Sequence, residues 1–356
     1  MREFQCIIYG SYGYTGELIT EECKRKGLKV LLAGRHAQKL RAQSEKHQYP
    51  FQVVESHDHT GLVALLKRGN LVIHCAGPFR HTTLAMFKAC AEAQTHYTDI
   101  SGEFEMFEKL ASWNHEAQQA NILVMPGTGF DVVPSDCLAL HLKNALPDAT
   151  HLQLAFTMGK GGLSRGTSKT MIEGMGHGSY IRENGSLKNI GLGDKTMEIN
   201  FGEFTRQTLC IPWGDIATAW ISTKIPNIEV YSGVSKAAMR SAKWSKYLNV
   251  LLRSAWLKKY LQRQVDKKPA GPSEQRRNEG RSYLWGKVWN EKGETKISRL
   301  ETINGYSLTA KTAVLIAQQL LQGNTRTGYF TPAQYFGADF ILKIETTKRT
   351  DEKQHV

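Results

Sequence analysis

Three glycines spaced three apart, Gly10, Gly13 and Gly16, sit near the start of the chain, with Tyr12, Tyr14 and Thr15 among the residues between them. Ahead of them runs the apolar, β-prone stretch Phe4 to Tyr9, and behind them Leu18, Ile19 and Cys23 recur at helical spacing. The pattern predicts a buried strand handing over to a helix, the place where a dinucleotide fingerprint occurs. Each glycine then has its own reason. Gly10 lets the chain turn off the strand end, Gly13 leaves no side chain between backbone and pyrophosphate, and Gly16 lets the helix pack closely on the sheet. The amides and positive end of that helix would face the phosphates. The spacing is G-x-x-G-x-x-G, not G-x-G-x-x-G, and glycine triplets also form ordinary turns, so the motif alone leaves both readings open.

The next strand narrows the choice. Leu28 to Gly34 reads as a second parallel strand, and Arg35 follows it. An NAD enzyme carries Asp or Glu there, on the ribose hydroxyls; a guanidinium grips a 2′-phosphate instead. Arg35 therefore predicts NADP(H), the alternative being a solvated surface arginine. Gly77, Pro78 and Phe79 follow a fourth strand, and 127–131 a sixth, so glycine-bearing loops gather where ligands bind in open parallel sheets. Asp58 is either an adenine contact or a helix cap. His74, inside an apolar strand, reads as a core histidine.

Nicotinamide chemistry asks the protein for orientation, a dry site and a proton donor beside the hydride acceptor. The candidates are Asp131 and Tyr97, with Asp99 nearby. Asp131 lies between Phe130 and Val132 on a strand-end loop, where desolvation would raise its pKa. Equally, Asp131 or Asp136 could cap the helix that begins near Val133. No Ser–His–Asp set, Tyr-x-x-x-Lys pair or metal-ligand cluster stands out, so no metal is expected.

The elements that must position these residues alternate strand and helix over 1–145, which predicts a doubly wound parallel sheet. After Pro147 the texture changes to alternating strands near 151–156, 196–201, 207–211 and 228–233, with a glycine loop at 159–167. Residues 264–282 read as loop, 283–302 as a hairpin about Asn290 to Gly293, and Thr309 to Leu321 as an apolar helix. This predicts a second, α+β domain over 146–304 and a polar, disordered tail at 349–356. The six cysteines form no C-x-x-C pair, which suits reduced thiols in a cytoplasmic protein. No apolar run approaches the roughly 20 residues of a membrane span, and none resembles a signal peptide.

The net charge of +13 is concentrated: residues 239–299 carry sixteen Lys/Arg against five Asp/Glu, and four of the seven tryptophans. As one helix, 239–263 would align Trp244, Tyr247, Leu248, Leu251 and Ala255 on one face, with Trp256 and Tyr260 off that stripe. Its cations and aromatic rings suit an anionic membrane surface; packing on the second domain or a homodimer partner is the alternative. Nucleic acid is disfavoured because no recognition fold accompanies the charge.

Taken together, Gly10 to Gly16, Gly34-Arg35, Gly77-Pro78-Phe79, Thr95 to Asp99 with Gly102-Glu103, Gly129 to Asp136, Gly162 to Thr167, Gly305-Tyr306 and Thr331 to Ala333 resemble the saccharopine dehydrogenase-like oxidoreductases, which include trans-acting enoyl reductases of complex-lipid synthesis. The resemblance implies an NADP-binding Rossmann domain, a second mixed-sheet domain, and a C-terminal helix near 305–345 that completes the first. Three functions compete. One is an NADPH-dependent reductase of a bulky or lipid-like C=C, C=N or C=O substrate, cytoplasmic or peripheral on the inner face of a membrane. The others are a dehydrogenase of an amino-acid-derived imine, and a non-enzymatic NADP-binding protein of the membrane surface.

Overall fold

The computed structural model describes residues 2–159, 162–245, 252–323 and 325–352. The chain divides into two compact units: one of residues 1–133 and 306–332, the other of 134–305 and 333–356.

The first unit holds a seven-stranded parallel sheet. Its strands are β1 (Phe4–Tyr9), β2 (Val30–Gly34), β3 (Phe51–Val53), β4 (Gly69–His74), β5 (His96–Asp99), β6 (Leu123–Met125) and the short β15 (Gly328–Tyr329), numbered in chain order, with spatial order β15-β6-β5-β4-β1-β2-β3. Cys6, Ile7 and Ile8 of β1 have no exposure at all. Their unbroken apolar run is what a strand covered on both faces requires. Helices α1 (Tyr14–Arg25), α2 (Ala37–His47), α3 (His59–Leu66), α4 (Phe79–Ala93), α5 (Phe104–Ser112) and α6 (Asn114–Gln119) connect the strands. The helix Gly305–Gln322 returns residues 306–322 to this unit. There Thr309 Oγ1 accepts the Phe130 N–H at 2.9 Å, and Thr312 Oγ1 donates to the Thr128 carbonyl at 2.8 Å.

The second unit is built on a mixed nine-stranded sheet. Its main path runs β10 (Thr196–Asn200), β11 (Thr205–Cys210), β12 (Asn227–Gly233), β7 (His151–Met158), β13 (Arg281–Trp289), β14 (Thr295–Ile303) and β16 (Lys348–Asp351), with the hairpin β8 (Ser179–Glu183)–β9 (Ser186–Ile190) attached to β12. One face buries Ala155, Tyr231, Cys210, Ile199 and Trp285 in a common cluster. On the other lies α7 (Val133–Ala145), so close at Gly286 that an added Cβ would stand 2.6 Å from a Leu142 methyl. Helices α8 (Arg165–Gly174), α9 (Asp215–Thr223) and α10 (Lys236–Ser245) follow in chain order, then the helices Ala255–Asp266 and Glu274–Glu279.

Several expectations change. The first unit ends at 133, not 145, because α7 buries Leu138 and Leu142 against Leu154 and Gly286 of the second sheet. Residues 333–345 also leave it: the Ala333 amide donates to Asp136 Oδ2 at 2.8 Å, inside the second unit. The tail expected at 349–356 begins inside β16, paired with β14. The loop expected at 264–282 contains the helix Glu274–Glu279. The single helix expected over 239–263 is interrupted at Ser254, whose ψ of 125° leaves the helical range and starts the separate helix Ala255–Asp266. Tyr247, Leu248 and Leu251 of the expected stripe, and the side chain of Trp244, lie outside the described residues. Asp58 is a cap, accepting the Gly61 N–H at 2.9 Å.

Candidate functional site

The glycine loop forms where β1 ends. Gly10 has φ +82°, and a Cβ on it would stand 2.8 Å from the Ala76 nitrogen, so the turn lies against the end of β4. Gly13 is the N-cap of α1, and no side chain closes that helix start. A Cβ on Gly16 would meet the carbonyl oxygens of Gly10 and Ser11 at 2.6 Å. Gly16 is therefore dictated by the loop's own backbone, not by the expected packing of helix on sheet. Tyr14 sets its ring edge-on to Tyr306, 5.2 Å between centroids, and Thr15 is half-buried in the first turn. A helix start without a side-chain cap, preceded by glycines, is an anion site in waiting.

Beside it, β2 ends in a cluster of cations. The Tyr12 ring lies over Gly34, where a Cβ would come within 2.6 Å of it, and the Tyr12 hydroxyl accepts the Arg35 N–H at 3.3 Å. Around the same ring stand His36, 5.5 Å between centroids, and the Lys39 ammonium at 5.7 Å. Arg35, His36 and Lys39 are all exposed, and none forms an ion pair among the described residues. A 2′-phosphate fits the Arg35 and Lys39 cations, with the His36 imidazole accepting from Arg35 Nε at 3.3 Å beside them; a bare ribose diol would need a carboxylate there.

The start of α4 is different. Both oxygens of the buried Glu103 carboxylate accept backbone amides, from Phe79 at 2.9 Å and from Arg80 at 3.0 Å. Gly77, Pro78 and Phe79 were expected to approach the cofactor closely. Glu103 thus occupies the first amides of α4, beside those three residues. Phe79 packs edge-on against His74, 5.3 Å between centroids. His74 is fully buried, its Nε2 2.9 Å from Thr82 Oγ1, and burial lowers its pKa to about 3, so it stays neutral.

Tyr97 and Asp131 part company. Tyr97 has no exposure, and its hydroxyl donates to Asp99 Oδ2 at 2.6 Å. Asp99 is equally buried and also takes the amides of Ser101 at 3.0 Å and Gly127 at 2.9 Å. The pair ties the loop after β5 to the loop after β6. The expectation of Tyr97 as a donor to substrate is corrected: desolvation raises its pKa well above the usual value and no face of it reaches solvent.

Asp131 is half-buried on the loop after β6, its carboxyl directly over Gly102, where an added Cβ would collide with it. The carboxyl accepts no hydrogen bond among the described residues, and desolvation raises its pKa to about 7. Gly102, under Asp131, is followed by Glu103, which holds the Phe79 amide at the start of α4. Elsewhere Glu17, Glu21 and His47 converge, but the Lys46 ammonium lies 2.6 Å and 3.0 Å from the two carboxylates and meets their charge.

An uncapped helix start after a glycine loop, with a cationic pocket after β2, defines a Rossmann domain of the NADP-binding class. Residues 6–125 match the saccharopine dehydrogenase NADP binding domain. Over those residues the chain resembles that family, and it is similar to proteins described as saccharopine dehydrogenase-like oxidoreductases. A protein of that description from Rattus norvegicus is 28% identical over 53% of this chain and 50% of its own length. A putative trans-acting enoyl reductase from Mycobacterium tuberculosis is 30% identical over 48% of this chain and 44% of its own. The chain thus spans about half the length of the curated relatives it matches. The apo saccharopine dehydrogenase (L-Glu forming) of Saccharomyces cerevisiae shares the fold, with a TM-score of 0.66 over 98% of this chain and all of that one, at 12% identity.

Proposed function

We propose that the protein is an NADPH-dependent oxidoreductase that reduces a C=C, C=N or C=O bond in a bulky or lipid-like substrate, with Asp131 as proton donor. The observation that carries this reading is the geometry of Asp131, its carboxyl set over Gly102 without a hydrogen bond among the described residues, in the same unit as the glycine loop; desolvation there raises its pKa. Gly10, Gly13 and Gly16 with the start of α1 would hold the pyrophosphate, and Arg35, His36 and Lys39 the 2′-phosphate. When bound, NADPH supplies the hydride. Asp131, its pKa raised by desolvation to about 7, gives its proton to the atom left electron-rich by hydride addition, and is reprotonated from solvent before the next turnover. The description of the mycobacterial relative as a putative enoyl reductase supports an enoyl acceptor.

The test is NADPH oxidation against enoyl thioesters, aldehydes and amino-acid-derived imines. Enoyl or carbonyl turnover that falls about a hundredfold or more in Asp131→Asn, with NADPH affinity kept, is the expected result. Turnover of imines alone would move the assignment to an amino-acid dehydrogenase. NADPH binding without turnover of any acceptor class would overturn the enzymatic reading.

A further inference from the structure

Of the exposed large apolar side chains among the described residues, four lie on two segments of the second unit that pack on each other. They are Trp256 at 73% exposure, Met171 at 58%, Tyr260 at 49% and Leu163 at 46%. Met171 lies on α8, Leu163 just precedes it, and Trp256 and Tyr260 lie on the helix Ala255–Asp266. The two helices are fastened together. The Lys258 ammonium donates to the Glu173 carbonyl at 2.7 Å, Lys169 pairs with Asp266 at 2.6 Å, and the Arg165 amide donates to the Ala270 carbonyl at 2.9 Å.

The outward face of Ala255–Asp266 follows helical spacing. Trp256, Lys259, Tyr260 and Arg263 are all exposed, while Leu257 and Leu261 are half-buried and Val265 is buried. The indole and phenol rings lie nearly parallel, 14° between planes and 6.1 Å between centroids. Lys259 and Arg263 thus frame an aromatic pair, and residues 165–174 and 252–268 together carry eight Lys/Arg against two acids.

We propose that this surface docks the protein reversibly on an anionic lipid bilayer, with Trp256 and Tyr260 at headgroup depth and Lys259 and Arg263 against lipid phosphates. Amphipathic rings settle at that depth, and flanking cations add attraction to anionic headgroups. A second copy of the chain is the poorer occupant, because a two-fold contact would set the cationic stripe against itself. A nucleic acid is the poorer occupant too, because no recognition fold accompanies the rings and cations. The assignment is independent of the proton donor and of the reaction, so either can fail without the other.

The experiment is sedimentation of the full chain with vesicles of equimolar phosphatidylglycerol and phosphatidylcholine, and of phosphatidylcholine alone, across a salt series. The expected result is binding to the anionic vesicles only, weakening as salt rises. The variants Trp256→Ser with Tyr260→Ser, and Lys259→Gln with Arg263→Gln, should each weaken binding roughly tenfold or more. All four residues are exposed, so melting temperature and NADPH affinity should stay as in the parent protein, which separates surface loss from misfolding. Failure of the parent protein to bind anionic vesicles at low salt overturns the proposal, as does unchanged binding in both variants. Self-association in sedimentation velocity that the aromatic variant abolishes, or a shift of single-stranded RNA without vesicle binding, likewise overturns it in favour of that partner.

Discussion

At the scale of single residues, Asp131 is defined by what it lacks. A carboxyl over Gly102 with no hydrogen-bond donor is expensive to ionise, so its pKa rises to about 7. Folding therefore binds a proton at this group between its ordinary range near 4 and about 7, and its contribution to stability falls as pH rises through that window. Asp131→Asn removes the dependence. The melting temperature of the variant should gain on the parent from pH 5 to pH 8, and an equal difference at both would show the carboxyl to be solvated. Around Arg35, Tyr12 on Gly34 orders the loop, His36 accepts from the guanidinium, and Lys39 adds charge. Arg35→Asp should weaken NADPH binding about tenfold or more and narrow the gap to NADH in titrations of both cofactors. Gly13→Val should abolish binding of either cofactor while the cofactor-free melting temperature stays near that of the parent, since the added Cβ meets only the Gly10 carbonyl, at 3.2 Å.

Elements decide which of two similar helix starts takes a phosphate. Both α1 and α4 begin after a glycine-bearing loop at a strand end, and the sequence treats them alike. Glu103 separates them by occupying the amides of Phe79 and Arg80, which leaves α1 as the start without a carboxylate cap. Glu103→Ala should lower stability by about 1–2 kcal/mol in chemical denaturation, the loss of a buried cap. The β8–β9 hairpin was missed, although Asn184-Gly185, both with positive φ, is a strong two-residue turn signal. The flanking residues are too polar to announce strands, and β9 is mostly exposed. Conversely, α7 reads as the last helix of the Rossmann alternation yet belongs to the second sheet. Gly286→Val there should cost about 1–3 kcal/mol, by forcing α7 off the sheet at Leu142.

For the whole molecule, every residue assigned to cofactor and proton transfer lies in the first unit, and the aromatic, cationic stripe lies in the second. Ligand linkage gives a direct measure of the first. NADPH at a hundred times its dissociation constant should stabilise the protein by roughly 2.7 kcal/mol, and NADH at the same concentration by clearly less. Equal shifts would mean that the β2 cluster does not read the 2′-phosphate. The concentration of charge over 239–299 was visible as composition, but it mixes two kinds of structure. Trp285 is 7% exposed in the core of the second sheet and Trp289 stacks on His151, whereas Trp256 faces solvent.

The amino-acid order by itself determined the parallel α/β domain, the glycine loop, the preference for NADP and the strand-end position of Asp131. Those properties follow from local periodicity and from residues within a few positions of one another. Only the tertiary structure decided that Tyr97 is locked onto Asp99, that Glu103 closes α4, and that Trp256 and Tyr260 point outward. Each of these depends on which distant segment supplies the neighbour: the loop after β6 for Asp99, the loop after β5 for α4, and α8 for the inward face of Ala255–Asp266. Helical periodicity reports that a face is apolar. Whether that face is buried or solvent-exposed is settled by the partner that folding brings against it.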